Sequence, residues 1–509
     1  MCFKKNIFLL ILFLFLFVSI NSIIVDAKNN TKKNDFIVGL EGCYPPFNWT
    51  QDNSSNGAIK FYSSNLFANG YDVSIAKIIA KKLKKNLVIL KIDWDGLLPA
   101  LTSKKIDAII AGMSPTEERK KSINFSDAYN NSRVVILVKN YSKFADSKTI
   151  FDFGDAKITA QLNTFHYDLI SQLTDSIKQP PMDNFPAMRV ALESNVIDGY
   201  ITEFSEAYTA QKINKNFKLI ELDKNNGFNL SNINVSSAIG VRKDFEDLER
   251  INNILKTIDK DQREKLMQIA IDNQPELKLN NNFFNNIIEI FKKNWLGFLY
   301  GALMTLFISF VSTIFGAIIG LSIGMFKIIK LNRKIELFFY KIIDFIFNLY
   351  IEIFRSTPMI VQAAIIYYGT AQMFSINLNR IFAAIFIVSI NTGAYMSEVV
   401  RGGIISINKS QFESSHALGL NNFQTLTKII MPQVLRNIIP STINEFVINI
   451  KDTAVLNIIS VFELFFEAKS IAGTNFKFFE TYTLTCLIYF LMTFCITRIL
   501  LKIEKKIRF

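Results

Sequence analysis

Residues 294–326 read NWLGFLYGALMTLFISFVSTIFGAIIGLSIGMF and contain no charged side chain. A helix of that length rises further than the ~30 Å apolar core of a bilayer, so the stretch predicts a membrane span. Outward from it, residues 356–379 are also uncharged, and 381–397 and 481–497 are shorter uncharged runs. Residues 437–462 are apolar but interrupted by Glu445, Lys451 and Asp452. These runs predict five transmembrane helices at about 296–326, 356–376, 380–400, 437–461 and 481–500. The piece 336–354 carries Glu336, Lys341, Asp344 and Glu352, a charge density that predicts an interfacial amphipathic helix.

Charge sets the orientation. If the region before the first span lies outside, the first, third and fifth spans end inside and should meet basic residues. Lys327, Lys330, Arg333 and Lys334 follow the first, Arg401 and Lys409 the third, and Lys502, Lys505, Lys506 and Arg508 the fifth. This positive-inside pattern accounts for the net +13 (57 Lys+Arg against 44 Asp+Glu) without nucleic acid. Half of the 509 residues are apolar, too many for one soluble protein. The two histidines, His166 and His416, are too few and too distant in sequence for a histidine-built metal centre or triad, and four cysteines make no disulfide scaffold.

The N-terminus has a basic start (Lys4, Lys5), an uncharged run from Asn6 to Val25 and Ala27 beyond it, the pattern of an export signal over 1–27 that is either cleaved or kept as an anchor. From about Asn29 to Lys278 charge, turn residues and short apolar runs mix. Strand-like pieces such as residues 36–39 and 87–90 alternate with helical periodicity such as Val73, Ile75, Ile78 and Ile79, which predicts a soluble α/β unit.

The C-terminal half then resembles the permeases of polar amino-acid ABC importers. Gln411-Phe-Glu413-Ser-Ser-His-Ala-Leu-Gly419-Leu, continuing to Ile430-Met-Pro432-Gln433, is similar to that family's cytoplasmic Glu-Ala-Ala loop, with Ser414 and Ser415 where alanine is usual. Ser410 and Glu413 have capping-box spacing and Gly419 can end the helix. The resemblance implies that Glu413, Gly419 and Pro432 belong to the segment that docks on a separate ATPase. Phe354-Arg355-Ser-Thr-Pro358-Met-Ile-Val-Gln362 and Ala394-Tyr395-Met-Ser-Glu398-Val-Val-Arg401 resemble the flanking motifs. Glu398 and Arg401, one turn apart, either pair or serve transport. Glu445, Lys451 and Asp452 line a translocation path or form a buried ion pair.

The N-terminal half resembles the matching bilobal binding protein through Glu41-Gly-Cys-Tyr44-Pro-Pro-Phe47, Asp93-Trp94-Asp95-Gly, Ala111-Gly112-Met-Ser114-Pro-Thr116-Glu-Glu-Arg119, Gln161-Leu-Asn163-Thr164 and Asp198-Gly-Tyr-Ile-Thr-Glu203. The resemblance implies a fold of three parts: a signal peptide, a type II periplasmic-binding-protein-like α/β domain, and an all-α permease with five spans. Its boundaries would be 36–276 for the bilobal domain (36–130 with 236–276, and 131–235), 277–293 for a linker and 294–509 for the permease. It also implies that Arg119 clamps an α-carboxylate, that amides at Asn163-Thr164 add donors, that Ser114 and Glu203 hold the α-ammonium, and that Tyr44 and Trp94 sandwich the side chain. The family has Asp at the position of Glu203 and Gly at that of Asn163. Gly112, Gln161 and Glu41 complete the pocket, and Glu41 without a neutralising lysine favours Arg, Lys or His over Gln. The stretch 51–70 is an insertion that could reshape the cleft.

No Gly-x-x-x-x-Gly-Lys-Ser/Thr stretch occurs, so a partner subunit is expected to hold ATP and Mg, with no cofactor or metal on this chain. Five spans are half a family permease, which implies a homodimer with two ATPases in the plasma (inner) membrane, the binding domain outside. The competing classes are an amino-acid-gated channel, a sensor, and an extracytoplasmic enzyme using Glu41 or Glu203.

Overall fold

The computed structural model describes residues 34–274, 282–327 and 334–508, apart from 63, 65, 232, 375, 377 and 476. The signal expected at 1–27 lies outside the described residues. Asp35–Leu40 is apolar enough to be buried on both faces, with Phe36, Val38 and Leu40 fully enclosed, and it pairs in parallel with Asn86–Lys91 on one side and Ala108–Ile109 on the other. Ser236–Val241 and Asn124–Asn131 add antiparallel to complete a five-stranded sheet. A second five-stranded sheet takes Ile177–Lys178, Lys157–Thr159, Gly199–Glu203, Val134–Lys139 and Phe217–Ile220 in that order. The chain passes from the first sheet to the second between Asn131 and Val134 and returns at Ser236. Two crossings between two sheets are the anatomy of a hinge-closing cleft.

The insertion 51–70 does not shape that cleft. Its strands Ile59–Lys60 and Phe67–Asn69 join Asn48–Gln51 and Cys43–Tyr44 in a small antiparallel sheet. That sheet faces the helical half: Asp52 pairs with Lys293 at 3.1 Å, and cavities of about 500 and 860 Å³ lie between residues 50–66 and the helices of the permease.

The helical half opens with Phe283–Phe326, which starts inside the expected linker and is bent at Asn294 (φ −119°, ψ 15°). Gly316, Gly320 and Gly324 share one face of it. A Cβ on each would fall within 2.6 Å of Thr392, 2.5 Å of Met396 and 2.3 Å of Val400 respectively. Both sets of positions advance by four, so this helix and Arg380–Ile405 run parallel with their backbones in close contact, as small-xxx-small faces allow in lipid. The same direction of travel is what the basic residues after the first and third spans require. Asn449 pins a third helix, Met431–Asp452, to both, donating to Thr313 at 2.8 Å and Thr392 at 3.0 Å.

The second expected span departs from expectation. Phe338–Ser356 and Met359–Phe374 reach the length and apolarity of a span only as a pair, bent by 112°, the shape of a broken span or a re-entrant loop. Pro358 is the cause: it lacks an N–H and restricts Thr357. Gln362 closes the gap, donating to the Phe354 and Thr357 carbonyls at 3.0 Å while accepting from Asn391. Phe283–Phe326, Arg380–Ile405 and Phe478–Lys502 qualify as spans singly, whereas Met431–Asp452, with its charges, does not.

Candidate ligand-binding cleft and coupling loop

The cleft is closed, and the expected pocket residues meet in three groups. Glu41, just after the first strand and 4% exposed, accepts a hydrogen bond at 3.1 Å from Gln161 of the other lobe, and Gln161 also donates to the Asp183 carbonyl. Arg119 donates to the Ser114 carbonyl at 2.9 Å and, across the cleft, to the Asn163 carbonyl at 2.8 Å. Asn163 in turn donates to Asp95 at 2.9 Å, and Thr164 to the Gln161 carbonyl at 2.7 Å. Tyr44 lies against Gly112, whose left-handed φ of +63° and the 2.6 Å from an ideal Cβ to the Tyr44 ring leave no room for a side chain. Glu203, 2% exposed at the end of Gly199–Glu203, sits beside the Tyr44 phenol and the Ser132 hydroxyl.

Trp94 and Tyr44 do not face each other as a sandwich. The Arg119 guanidinium lies 5.2 Å over the Trp94 ring, a cation–π contact. Tyr44 stacks instead on Phe185 of the second lobe, ring centroids 4.3 Å apart and 10° from parallel, and on Phe47. Stacking across the cleft removes ring surface of both lobes from water. Phe185 was not singled out from sequence. The helix start at Asn184-Phe-Pro is legible as a cap followed by proline, but nothing local says which second-lobe aromatic meets Tyr44. Asp72 was also missed. It is fully buried and accepts from Tyr129 at 2.7 Å and Asn48 at 2.8 Å, while Tyr129 accepts from the Gly112 amide and so fixes the turn under the pocket.

Burial and then the Asp93 carboxylate push Glu41 from its ordinary 4.5 up to about 8. Glu203 rises from 4.5 to about 8 as well, through burial first and then Asp72. Arg119 falls only to about 10, by burial, and stays charged at neutral pH. His166 is driven down to about 3 by burial, then by Arg119, and is a neutral core residue. Between about pH 4.5 and 8 the closed form holds more protons on Glu41 and Glu203 than the unfolded chain does, so this contribution to stability is lost as pH rises through that window. A cationic ligand favours the ionised carboxylates, so binding must expel their protons at lower pH. Affinity for a cationic amino acid should therefore fall, by up to about tenfold per pH unit for each carboxyl that must ionise, as pH drops from about 8 to about 6. Calorimetry in buffers of different ionisation enthalpy measures this, and a pH-independent affinity would contradict it.

On the helical side, the loop helix spans Lys409–Ala417, capped by Asn408 rather than by Ser410, because the Asn408 side chain already accepts from the Ser410 amide. Gly419 follows at φ +78°, with the Gly419 and Leu420 amides returning to the His416 and Ser415 carbonyls. Glu413 is exposed, and Leu418 and Phe423 are 79% and 74% exposed, an apolar surface that the described residues leave uncovered. Pro432 stands in the first turn of Met431–Asp452. Lys451 and Asp452 are exposed at the end of that helix and Glu445 is half-buried, so the three form no buried ion cluster. Glu398 and Arg401 pair at 2.7 Å.

A two-lobed α/β cleft with converging acids, one arginine and stacked rings, carried on the same chain as a bundle of apolar helices, defines a solute-binding protein fused to a membrane component. Residues 36–269 match the bacterial extracellular solute-binding proteins, family 3, and residues 316–509 the binding-protein-dependent transport system inner membrane component family. The glutamine transport system permease protein GlnP of Escherichia coli (strain K12) is 32% identical over 209 residues, 41% of this chain and 91% of its own. A Rickettsia conorii protein that also carries the GlnP name is 33% identical over 223 residues, 44% of this chain and 98% of its own. Among solved structures, an ancestral arginine-binding protein bound to arginine is 32% identical, covering 46% of this chain and 97% of its own with a TM-score of 0.39. The chain belongs to the polar amino-acid ABC importers, as a fused binding and permease subunit, and is a multi-pass inner-membrane protein.

Proposed function

We propose that this chain captures basic amino acids outside the cytoplasm and passes them through the membrane for an ATP-driven importer. The observation that carries the substrate class is the acidity of one end of the cleft. Glu41, Asp93, Asp95 and Asp183 line one cavity of about 190 Å³, and among the described residues the binding domain lends its lining no basic side chain. Arg119 lines a neighbouring cavity that shares Trp94 and Asp95 with the first, and it lies on Trp94 and the Asn163 carbonyl. A ligand with its carboxylate toward Arg119 and its α-ammonium toward Ser114 and Glu203 would carry its side-chain tip to the acids, and a guanidinium, ammonium or imidazolium tip suits them.

In this reading the lobes are 36–130 with 236–276 and 131–235, and the permease follows from 294. The exposed face of Glu413, Leu418 and Phe423, with Gly419 and Pro432 setting its frame, docks on an ATPase subunit that holds ATP and Mg. Two copies of the chain form the conduit, with Glu445, Lys451 and Asp452 facing it. The relatives' GlnP name makes glutamine the competing ligand. The test is calorimetric titration of the full chain with Arg, Lys, His and Gln, followed by uptake into vesicles with the co-purified ATPase. Binding of at least one basic amino acid at least about tenfold tighter than Gln supports the reading, and tight binding of Gln alone would overturn it.

A further inference from the structure

The acidic cavity is not closed by the binding domain alone. Its remaining wall is Ile360, Asn457, Ile458 and Lys469 of the helical half. Lys469, on the helix Leu464–Asn475, reaches across and places its ammonium 2.8 Å from Asp93, one residue before Trp94. The pair is largely buried, with side chains 19% and 27% exposed. The helix is fitted to the domain on both sides of the lysine. A Cβ on Gly473 would stand 2.8 Å from the Cys43 Sγ, and the Lys91 ammonium lies 5.9 Å from the Phe466 ring.

Asp93, Asp95 and Asp183 around so small a space repel one another and favour a cation, with Glu41 beside them held largely protonated by burial. In the docked arrangement the cation in direct contact with them is Lys469 of the permease, with Lys91 of the binding domain buried nearby. A ligand's basic side chain would use the same acids, and two cations cannot share them without mutual repulsion.

Resting on the reading of a basic ligand above, we propose that Lys469 is a displacing residue: when the binding domain seats on the permease, its ammonium takes the place of the ligand's cationic tip on Asp93 and its neighbouring acids, and frees the amino acid into the conduit. The docked chain consequently holds a basic ligand more weakly than the cleft alone would.

The test uses the full chain in nanodiscs, with arginine as the titrant and glutamine as the uncharged comparison. Lys469→Met should bind arginine about tenfold tighter than wild type, leave glutamine affinity unchanged and, in vesicles with the co-purified ATPase, slow arginine uptake, while Lys469→Arg stays close to wild type. Docking is followed independently by diamide cross-linking of Gly473→Cys to Cys43, which should survive Lys469→Met. Unchanged or weaker arginine binding by Lys469→Met, in a protein whose wild type binds arginine, overturns the proposal and leaves the substrate reading standing. Tighter binding accompanied by loss of the cross-link also overturns it, making Lys469 a docking anchor. A wild type that binds glutamine and no basic amino acid removes the substrate reading and this proposal together.

Discussion

Arg119→Ala is expected to weaken amino-acid binding by roughly 1.5 to 3.5 powers of ten, the consequence of removing one partner from a desolvated, hydrogen-bonded charge pair, which costs about 2–5 kcal/mol. The guanidinium is the cationic group of the cleft that faces the Asn163–Thr164 turn, and it is held in place by the Trp94 ring and the Ser114 carbonyl. A carboxylate entering between Arg119 and that turn would take over the hydrogen bonds now given to the Ser114 and Asn163 carbonyls. Arg119→Lys should recover only a small part of the loss, because an ammonium supplies the charge without the planar pair of donors and stacks less well on Trp94. Calorimetric titration of the full chain measures both variants, with the thermal unfolding midpoint confirming that the lobes remain folded. Affinity within about fivefold of wild type in Arg119→Ala would remove this residue from the carboxylate site.

Gly320→Leu is expected to be the most damaging single change in the helical half. Even the first carbon of a side chain there would lie 2.5 Å from the Met396 Cβ, 2.7 Å from the Met396 carbonyl carbon and 2.8 Å from the Ser397 nitrogen. Two of those three atoms are backbone, so no rotamer change relieves the clash, and the two parallel helices must separate. Overpacking of a fitted core costs about 1–3 kcal/mol and occasionally more. Here it would also part the Asn449 bridge between Thr313 and Thr392, leaving buried polar groups unpaired in an apolar setting. Detergent-solubilised Gly320→Leu should melt well below wild type and support no uptake. Gly402→Ala is the matched control: it lies in the same partner helix, nothing stands within 4 Å of its added carbon, and losing a glycine from a helix interior is neutral to stabilising by about 0.5–1 kcal/mol. Equal melting of Gly320→Leu and wild type would mean that this glycine face does not hold the helices together.

How far each feature could be read from the chain depended on how local its cause is. An uncharged run such as 294–326 must avoid water whatever surrounds it, so a span was legible there. The break at Pro358 belongs to the same class in hindsight, since proline acts on its own turn, but its consequence depended on a distant partner. Gln362 satisfies the opened backbone, and Asn391 satisfies Gln362. The side chains proposed for the pocket were singled out through ordered motifs, because an amino acid's carboxylate and ammonium demand particular side-chain types. The pairing inside the pocket was not. Arg119 on the Asn163 carbonyl, and Tyr44 on Phe185, depend on how the two lobes close on one another. The insertion 51–70 shows the same division: its residues announced an extra segment, and only packing turned it toward Lys293 instead of the cleft.

Sequence alone settled the allocation of polar and apolar chemistry: one half that can live in water and another that must live in lipid. Tertiary structure decided adjacency. Gly316, Gly320 and Gly324 became a contact face only when Thr392, Met396 and Val400 were placed against them, and Asp93 acquired its cation from Lys469, 376 positions away. The physical reason is one of range. Hydrophobic burial and helix geometry act over a few neighbouring residues and leave their period in the sequence. Ion pairs and close backbone contacts act over a few ångströms of space, and whether two residues come within that distance is a property of the folded chain.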